Sequence, residues 1–137
     1  MDGTWHLDKH WIRLEGDVLF CKYVGMITLS NVQEQMQILD RQFEPGKTYY
    51  IIADVSEVSG MDAAARKLST DWFARHDIGG AVNFGIGLAT RAISALILSL
   101  LRLIHKNSMP THFVKTEEEA RAWIDAQRRR RAAAVPG

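Results

Sequence analysis

The sequence lacks several features that would point to a particular class of protein. It contains one cysteine, Cys21, so an internal disulfide is excluded and a reducing compartment is expected. The formal net charge of +1 gives the whole molecule no reason to bind a polyanion. The most apolar stretch, residues 93–104, falls well short of the roughly 20 residues that span a bilayer. No basic segment followed by an apolar one opens the chain, so we expect a cytoplasmic protein without a secretory signal.

The composition is that of an ordinary globular domain. The chain has 137 residues, of which 47% are hydrophobic and 24% charged, enough for one sizeable core. We therefore expect a single domain over residues 1–137, with its core at about 10–127. Residues 128–137 begin with four arginines and are predicted to be a basic, frayed tail. Cys21 alternates with apolar residues, which favours a small buried side chain over a reactive thiol.

Hydrophobic periodicity and turn residues predict an α/β fold. A mixed sheet of four to five strands, covered by about four helices, follows from two antiparallel strands and repeated helix–strand units. Ser30 is predicted to cap the first helix, Gly25 to end the strand before it, and Gly79-Gly80 to break the chain. Gly16-Asp17 is predicted to form the turn between the first two strands, and Thr116 with Glu119 a capping box for the last helix. The predicted strands are 11–15, 18–24, 48–55, 81–88 and 111–115, and the predicted helices are 30–43, 62–76, 90–106 and one that follows Thr116.

Two aspartates mark the predicted functional edge of the sheet. A buried strand ends at Asp54, a polar loop with Ser56 and Ser59 follows, and Asp62 opens a helix. Sites in open α/β folds usually lie at the carboxyl ends of strands. Asp54 and Asp62 could form an acid–base pair. The pattern favours a simpler interpretation, in which Asp62 caps its helix and Asp54 accepts hydrogen bonds from the loop.

These residues resemble the STAS domain, and within it the SpoIIAA-like group named after an anti-sigma-factor antagonist. Asp54-Val55-Ser56 is similar to the first half of the antagonist signature, and Met61-Asp62 is similar to the approach to its Asp-Ser-Ser-Gly half. The segment 112–124 resembles the closing strand and helix of SpoIIAA-like proteins. The resemblance covers roughly residues 10–127 and implies the STAS fold.

The match departs from the signature where an antagonist carries its phosphorylated serine. Ala63, Ala64 and Ala65 occupy these positions, and alanine has no hydroxyl to accept a phosphate. Ser56 and Ser59 remain in the same segment as substitutes, although loop serines more often satisfy turn backbone. The resemblance therefore implies the scaffold of a phosphoswitch without its serine.

The predicted helix 90–106 has more apolar surface than a core-facing stripe requires. Leu98 and Leu101 fall near its polar side, where Arg102 and other cations also lie. A neighbouring helix, a second copy of the chain, an apolar ligand or an anionic membrane surface could cover these leucines. Membrane association and binding of apolar ligands have been suggested for SpoIIAA-like relatives, so the resemblance allows both.

Other patterns give little support for a cofactor, a metal or a nucleic acid. The glycines at 85 and 87 do not complete a dinucleotide fingerprint, and more plausibly allow close packing against the segment after Asp54. His6, Asp8 and His10 alternate as a metal site could, but no fourth ligand is in view. The arginine block has no aromatic residues interleaved with it, so no nucleic-acid partner is expected.

We therefore expect a non-catalytic STAS-like regulatory or binding module without a cofactor. Its partners would be another protein, a second copy of itself or an apolar ligand. The alternative is a peripheral membrane or lipid-binding protein at the inner face of the membrane, which would use the predicted helix 90–106. The expected binding residues are Asp54, Ser56, Ser59, Asp62, Leu98, Leu101 and Arg102.

Overall fold

The sheet is mixed, and its strands lie side by side in chain order. A computed structural model describes residues 3–85 and 110–134. The first three strands are antiparallel neighbours, and the third to sixth run parallel. The strands are β1 (Gly3–Leu7), β2 (His10–Glu15), β3 (Val18–Ile27), β4 (Tyr49–Met61), β5 (Ile78–Phe84) and β6 (Thr111–Val114). The described helices are α1 (Leu29–Gln42), α2 (Ala63–Ala74) and α3 (Glu117–Ala134).

The central strand β4 is buried on both faces, as its run of apolar residues predicts. Ile51, Ala53 and Val55 belong to the core cluster that includes buried residues of α1 and α2. Tyr50 and Ile52 belong to a second cluster, with Ala120 and Ile124 of α3. Helices therefore cover both faces of the sheet, α1 and α2 on one face and α3 on the other.

The predicted fold class is confirmed, but the described residues form a sheet of six strands rather than four to five. The additional strand is β1, which pairs antiparallel with β2 from Gly3 opposite Leu14 to Leu7 opposite His10. Its exposed and part-buried residues alternate up to the buried Leu7, so it lacks the continuous apolar run by which a strand is most easily recognised. The predicted helix 90–106 lies outside the described residues.

The segment after Asp54, predicted as a loop, is the second half of β4. The strand continues to Met61 because β3 also continues, through Gly25, to Ile27. Register shifts lie between Lys22 and Val24 and between Gly25 and Met26, and Gly25 has a φ of 72°. A glycine tolerates this left-handed conformation at a bulge, so Gly25 bends β3 rather than ending it.

The predicted chain break at Gly79-Gly80 is also wrong, because both glycines lie inside β5. A Cβ atom added to Gly79 would lie 2.6 Å from the ring of Tyr50, and one added to Gly80 would lie 2.8 Å from the ring of Trp123. These glycines therefore admit aromatic rings close to the backbone of the strand.

The first helix begins two residues earlier than its predicted cap. Thr28, not Ser30, is the N-cap: its hydroxyl accepts a hydrogen bond from the backbone N–H of Asn31, and the Asn31 side chain accepts one from the backbone N–H of Thr28. Ser30 is the second residue of α1 and exposed. An Asn in the third position can replace the Glu or Gln of a capping box, which the sequence pattern did not anticipate.

The arginine-rich tail is helical through Ala134 rather than frayed from residue 128. Arg128 donates hydrogen bonds to Asp17, with Nε 3.1 Å from Oδ2, and Arg131 Nη2 lies 2.9 Å from both carboxylate oxygens of Asp77. These ion pairs tie the last turns of α3 to residues at the start of β3 and β5. At the other end of this helix, Thr116 Oγ1 accepts from the N–H of Glu119 at 3.2 Å, as the predicted capping box requires.

Candidate functional site

Asp54 lies at the centre of a charged cluster on the surface of the sheet. Lys22 Nζ is 3.0 Å from Asp54 Oδ2, 3.1 Å from Ser56 Oγ and 2.8 Å from Glu57 Oε2. The other oxygen of Asp54 accepts from the backbone N–H of Ser56 at 3.0 Å and from its hydroxyl at 2.7 Å. Burial alone would raise the pKa of Asp54, but the hydrogen bonds from Ser56 and Lys22 outweigh burial and hold this pKa below its ordinary value. Asp54 therefore stays an ionised, hydrogen-bonded carboxylate.

The end of β5 packs tightly against this cluster. Gly85, the residue after β5, has a φ of 83°. A Cβ atom added there would lie 2.8 Å from Cβ of Ser56 and 3.3 Å from Oδ1 of Asp54. The expectation that a glycine allows close packing against the segment after Asp54 is confirmed at Gly85.

The structure does not bring Asp62 to Asp54. The two residues are separated by the second half of β4, which at roughly 3.3 Å per residue puts them on the order of 20 Å apart. Asp62 occupies the N-cap position of α2, but its side chain makes no capping hydrogen bond to that helix. Its Oδ2 instead accepts from the N–H of Leu29 at 3.4 Å. The two carboxylates cannot act as an acid–base pair, and the predicted single edge is an extended strip.

The other predicted site residues fall into two groups. Ser56 and Ser59 are exposed on β4, Ser56 within the Asp54 cluster and Ser59 further along the strand. Leu98, Leu101 and Arg102 lie outside the described residues.

An apolar cavity of about 100 Å³ lies between the sheet and the helices α1 and α2. We call it the sheet–helix cavity. It exists beside β4 and β5 because Ala53 and Ala81 contribute small side chains where large ones would fill the space. Its main lining residues are Ile51, Ala53, Val55, Ala81 and Asn83 of the sheet and Val32, Gln35, Met36 and Phe73 of the helices.

Two buried carboxamides lie in the mainly apolar wall of this cavity. Asn83 of β5 is 5% exposed and Gln35 of α1 is 4% exposed. Gln35 Oε1 accepts a hydrogen bond from the hydroxyl of Tyr23 at 2.9 Å. Sequence reasoning missed both residues, although Asn83 interrupts an apolar, small-residue strand and was a visible signal.

A third buried polar group, His10, has a structural role. Its Nδ1 accepts from the backbone N–H of Val24 at 2.9 Å, so Nε2 carries the proton and donates to Asn31 Oδ1 at 3.0 Å. Both ring nitrogens are occupied, so His10 is not available to a metal. No three His, Cys, Asp or Glu side chains within residues 3–85 and 110–134 are placed to hold a metal ion.

Comparisons with known proteins agree with this architecture. A family model described as "Domain of unknown function (DUF7793)" matches residues 10–128. A crystal structure from Shewanella loihica PV-4, of an uncharacterised DUF3478-family protein with a SpoIIAA-like fold, is 16% identical with a TM-score of 0.64. That match covers 90% of this chain and 94% of the other. The chain thus has the SpoIIAA-like fold that its sequence resemblance implies.

Two other comparisons add no argument. A structure described as Mglu matches with a TM-score of 0.35 and 14% identity, over 77% of this chain and 19% of the other. The comparison with curated proteins finds no significant match.

Proposed function

The chain belongs to the DUF7793 family, and from its SpoIIAA-like fold we propose that it is a non-catalytic regulatory module that acts by binding. The module takes up an apolar small molecule in the sheet–helix cavity. Binding of this molecule regulates the contact of the module with a protein partner or a second copy of the chain.

The state of Asp54 supports a non-catalytic role. This carboxylate is held ionised by Lys22 and Ser56, and Asp62 is too distant to complete an acid–base pair. A general acid or base needs a proton that it can exchange near neutral pH, which a carboxylate with a lowered pKa does not have.

The sheet–helix cavity is the single observation that carries the binding role. Well-packed cores leave few voids larger than a water molecule. A cavity of about 100 Å³ exceeds that size, and we take it as the binding site of a ligand. An apolar cavity of about 150 Å³ in another protein stays free of water and takes up benzene. The volume here suits the apolar end of a small molecule.

A benzene titration followed through methyl NMR signals tests this function. Benzene should shift the methyl signals of Ile51 and Val55, and Ala53→Leu should abolish the shift because the new side chain fills the cavity. Ala64→Leu is the matched control, since Ala64 is exposed on α2, and it should leave the shift unchanged. Absence of a shift in the wild-type protein, or persistence of the shift in Ala53→Leu, would overturn the proposal. Native mass spectrometry of freshly purified protein would report a co-purified ligand.

We place the contact with the protein partner on the strip Asp54, Ser56, Ser59 and Asp62. The last three are exposed, and they lie along β4 and at the start of α2. If the partner is a second copy, Ser59→Arg should lower the mass measured by sedimentation equilibrium, whereas Ala122→Arg, at an exposed position of α3 on the other face of the sheet, should not. An equal effect of both variants would argue against this surface.

A peripheral membrane role is the second candidate, and the observation that favours it is the surplus of leucines in the sequence 90–106. Leu98 and Leu101 would enter the headgroup boundary while Arg102 meets anionic lipid. Within residues 3–85 and 110–134, no helix is long and apolar enough to cross a membrane. Co-sedimentation with anionic vesicles tests the idea, with neutral vesicles as the control. If the wild-type protein fails to sediment, or Leu98→Glu sediments as well as the wild type, the membrane role is excluded.

A further inference from the structure

The carboxamide of Asn83 is buried and has no hydrogen-bond partner among the described residues. Asn83 is the last residue but one of β5 and lies opposite Ala53 of β4 and Phe113 of β6. Its side chain is 5% exposed and forms part of the wall of the sheet–helix cavity. Across residues 3–85 and 110–134, no side-chain or backbone group is hydrogen-bonded to this carboxamide.

A buried carboxamide without a hydrogen-bond partner destabilises the folded protein, unless a molecule in the cavity forms the hydrogen bond. Buried polar groups in folded proteins are nearly always hydrogen-bonded to protein or to water, because the lost hydration is otherwise not replaced. The neighbours of Asn83 that β4 and β5 contribute to the same wall, Ala53, Val55 and Ala81, are apolar. A molecule held in the cavity would supply the hydrogen-bond partner that the described residues do not give Asn83.

Gln35 indicates whether the ligand group that contacts this wall donates or accepts hydrogen bonds. Its Oε1 already accepts from the Tyr23 hydroxyl, whereas the two N–H donors of its amide have no partner among the described residues. Asn83 offers two N–H donors and one carbonyl oxygen. In these two carboxamides N–H donors outnumber carbonyl oxygens, so a hydrogen-bond acceptor on the ligand satisfies both side chains.

The remaining lining residues of the cavity favour a ligand whose hydrogen-bond acceptor is uncharged. The cavity is lined mainly by apolar side chains, and an ionised group would lose its hydration there without adequate compensation. Arg66, the charged residue among the described lining residues, is partly exposed and already engaged in an interaction.

We propose that the sheet–helix cavity binds the carbonyl-bearing end of a neutral and otherwise apolar molecule, such as a ketone, ester or amide. The carbonyl oxygen accepts hydrogen bonds from Asn83 and Gln35, and the apolar body packs against Ala53, Ala81 and the α1 side chains. This inference rests on the proposed function, because it names the class of ligand for the same cavity.

Two probe molecules of the same shape distinguish recognition of a carbonyl group from non-specific filling of the apolar cavity. Cyclopentanone and methylenecyclopentane differ only in that a carbonyl oxygen replaces a methylene group. Both are titrated by NMR into the wild-type protein and into Asn83→Leu, which removes the carboxamide but keeps a side chain of similar length. Loss of one hydrogen bond should weaken cyclopentanone binding by about fivefold to tenfold in Asn83→Leu, while the hydrocarbon affinity should change by less than about twofold.

The wild-type protein supplies a second measurement that does not depend on how the variant folds. Cyclopentanone should shift the side-chain amide signals of Asn83, and methylenecyclopentane should leave them in place. Equal responses to the two probes, or equal losses of affinity in Asn83→Leu, would overturn the carbonyl inference and leave the cavity as a binding site. Tighter binding of cyclopentanecarboxylate than of the ketone would also overturn it. If neither neutral probe binds the wild type, the proposed function fails together with the inference.

Discussion

Lys22 and Asp54 form an ion pair across the parallel strands β3 and β4, where they are register partners, with Nζ 3.0 Å from Oδ2. Both side chains are 17% exposed, so this pair is less screened than an ordinary surface pair. Lys22→Met should raise the pKa of Asp54 and lower the free energy of unfolding near pH 7 by about 1 kcal/mol. Carboxyl NMR titration and urea denaturation measure the two effects. Lys67→Met is the control, because its partner Asp71 and Lys67 itself are largely exposed, and it should change stability little.

The same pair predicts the direction of the pH dependence. The pKa of Asp54 is lower in the folded than in the unfolded protein, so its stabilisation is fully present above the ordinary value of 3.8. As the pH falls below 3.8 and through the folded-state pKa, this contribution is lost. The stability difference between wild type and Lys22→Met should therefore shrink on acidification, as urea denaturation at a series of pH values would show. A difference that grows towards acidic pH would contradict the ion pair.

Gly85 should tolerate alanine less well than another glycine of the same backbone conformation. Gly46 has a φ of 81°, close to the 83° of Gly85, but a Cβ atom there meets nothing within 4 Å. Gly46→Ala should cost about 1 kcal/mol for the left-handed backbone alone, and Gly85→Ala about 1–2 kcal/mol more because the methyl group collides with Ser56. Thermal and urea denaturation measure both. Equal costs would mean that the contact between Gly85 and the Asp54 cluster is absent.

Two variants distinguish the N-cap of α1 in the structure, Thr28, from the N-cap that the sequence pattern predicts, Ser30. Thr28→Ala should lower the free energy of unfolding by about 1 kcal/mol, because it removes the hydroxyl that accepts from Asn31 N–H. Ser30→Ala should have almost no effect, since Ser30 is exposed and is the second residue of the helix. If urea denaturation gives the larger loss for Ser30→Ala, the assignment of Thr28 as the cap is wrong.

The sequence was informative wherever local chemistry decides the structure. The apolar run 49–55 predicts a buried strand, and the turn at Gly16 and the cap at Thr116 depend on neighbours in the chain. The predictions from sequence were wrong where residues far away in the chain determine the local structure. Ser56 to Gly60 form a strand because Val24 to Met26 lie beside them, and Gly79 and Gly80 remain in β5 because the rings of Tyr50 and Trp123 need the space. The sheet–helix cavity depends on Ala53 and Ala81 lying diagonally across β4 and β5, which only the register between the strands establishes.

Cys21 should be unreactive in the folded protein. It is 1% exposed, and burial raises the pKa of its thiol to about 12, so almost no nucleophilic thiolate forms at neutral pH. DTNB should label Cys21 slowly in buffer, at a rate limited by opening of the structure, and at once in strong denaturant. Fast labelling of the native protein would contradict the buried position of this strand.

The two buried asparagines should respond in opposite directions to replacement by leucine. Asn31 accepts from His10 and from Thr28, so Asn31→Leu should cost about 2 kcal/mol or more by leaving both donors without a partner. The side chain of Asn83 makes no hydrogen bond within the described residues, and a leucine side chain has the same number of heavy atoms. Asn83→Leu should therefore raise the stability of the ligand-free protein by about 1 kcal/mol, since a buried amide without a partner is replaced by apolar surface. Urea denaturation of the two variants makes the comparison. A loss at Asn83 as large as the loss at Asn31 would mean that its carboxamide already has a partner in the free protein, and the cavity would then need no acceptor from a ligand.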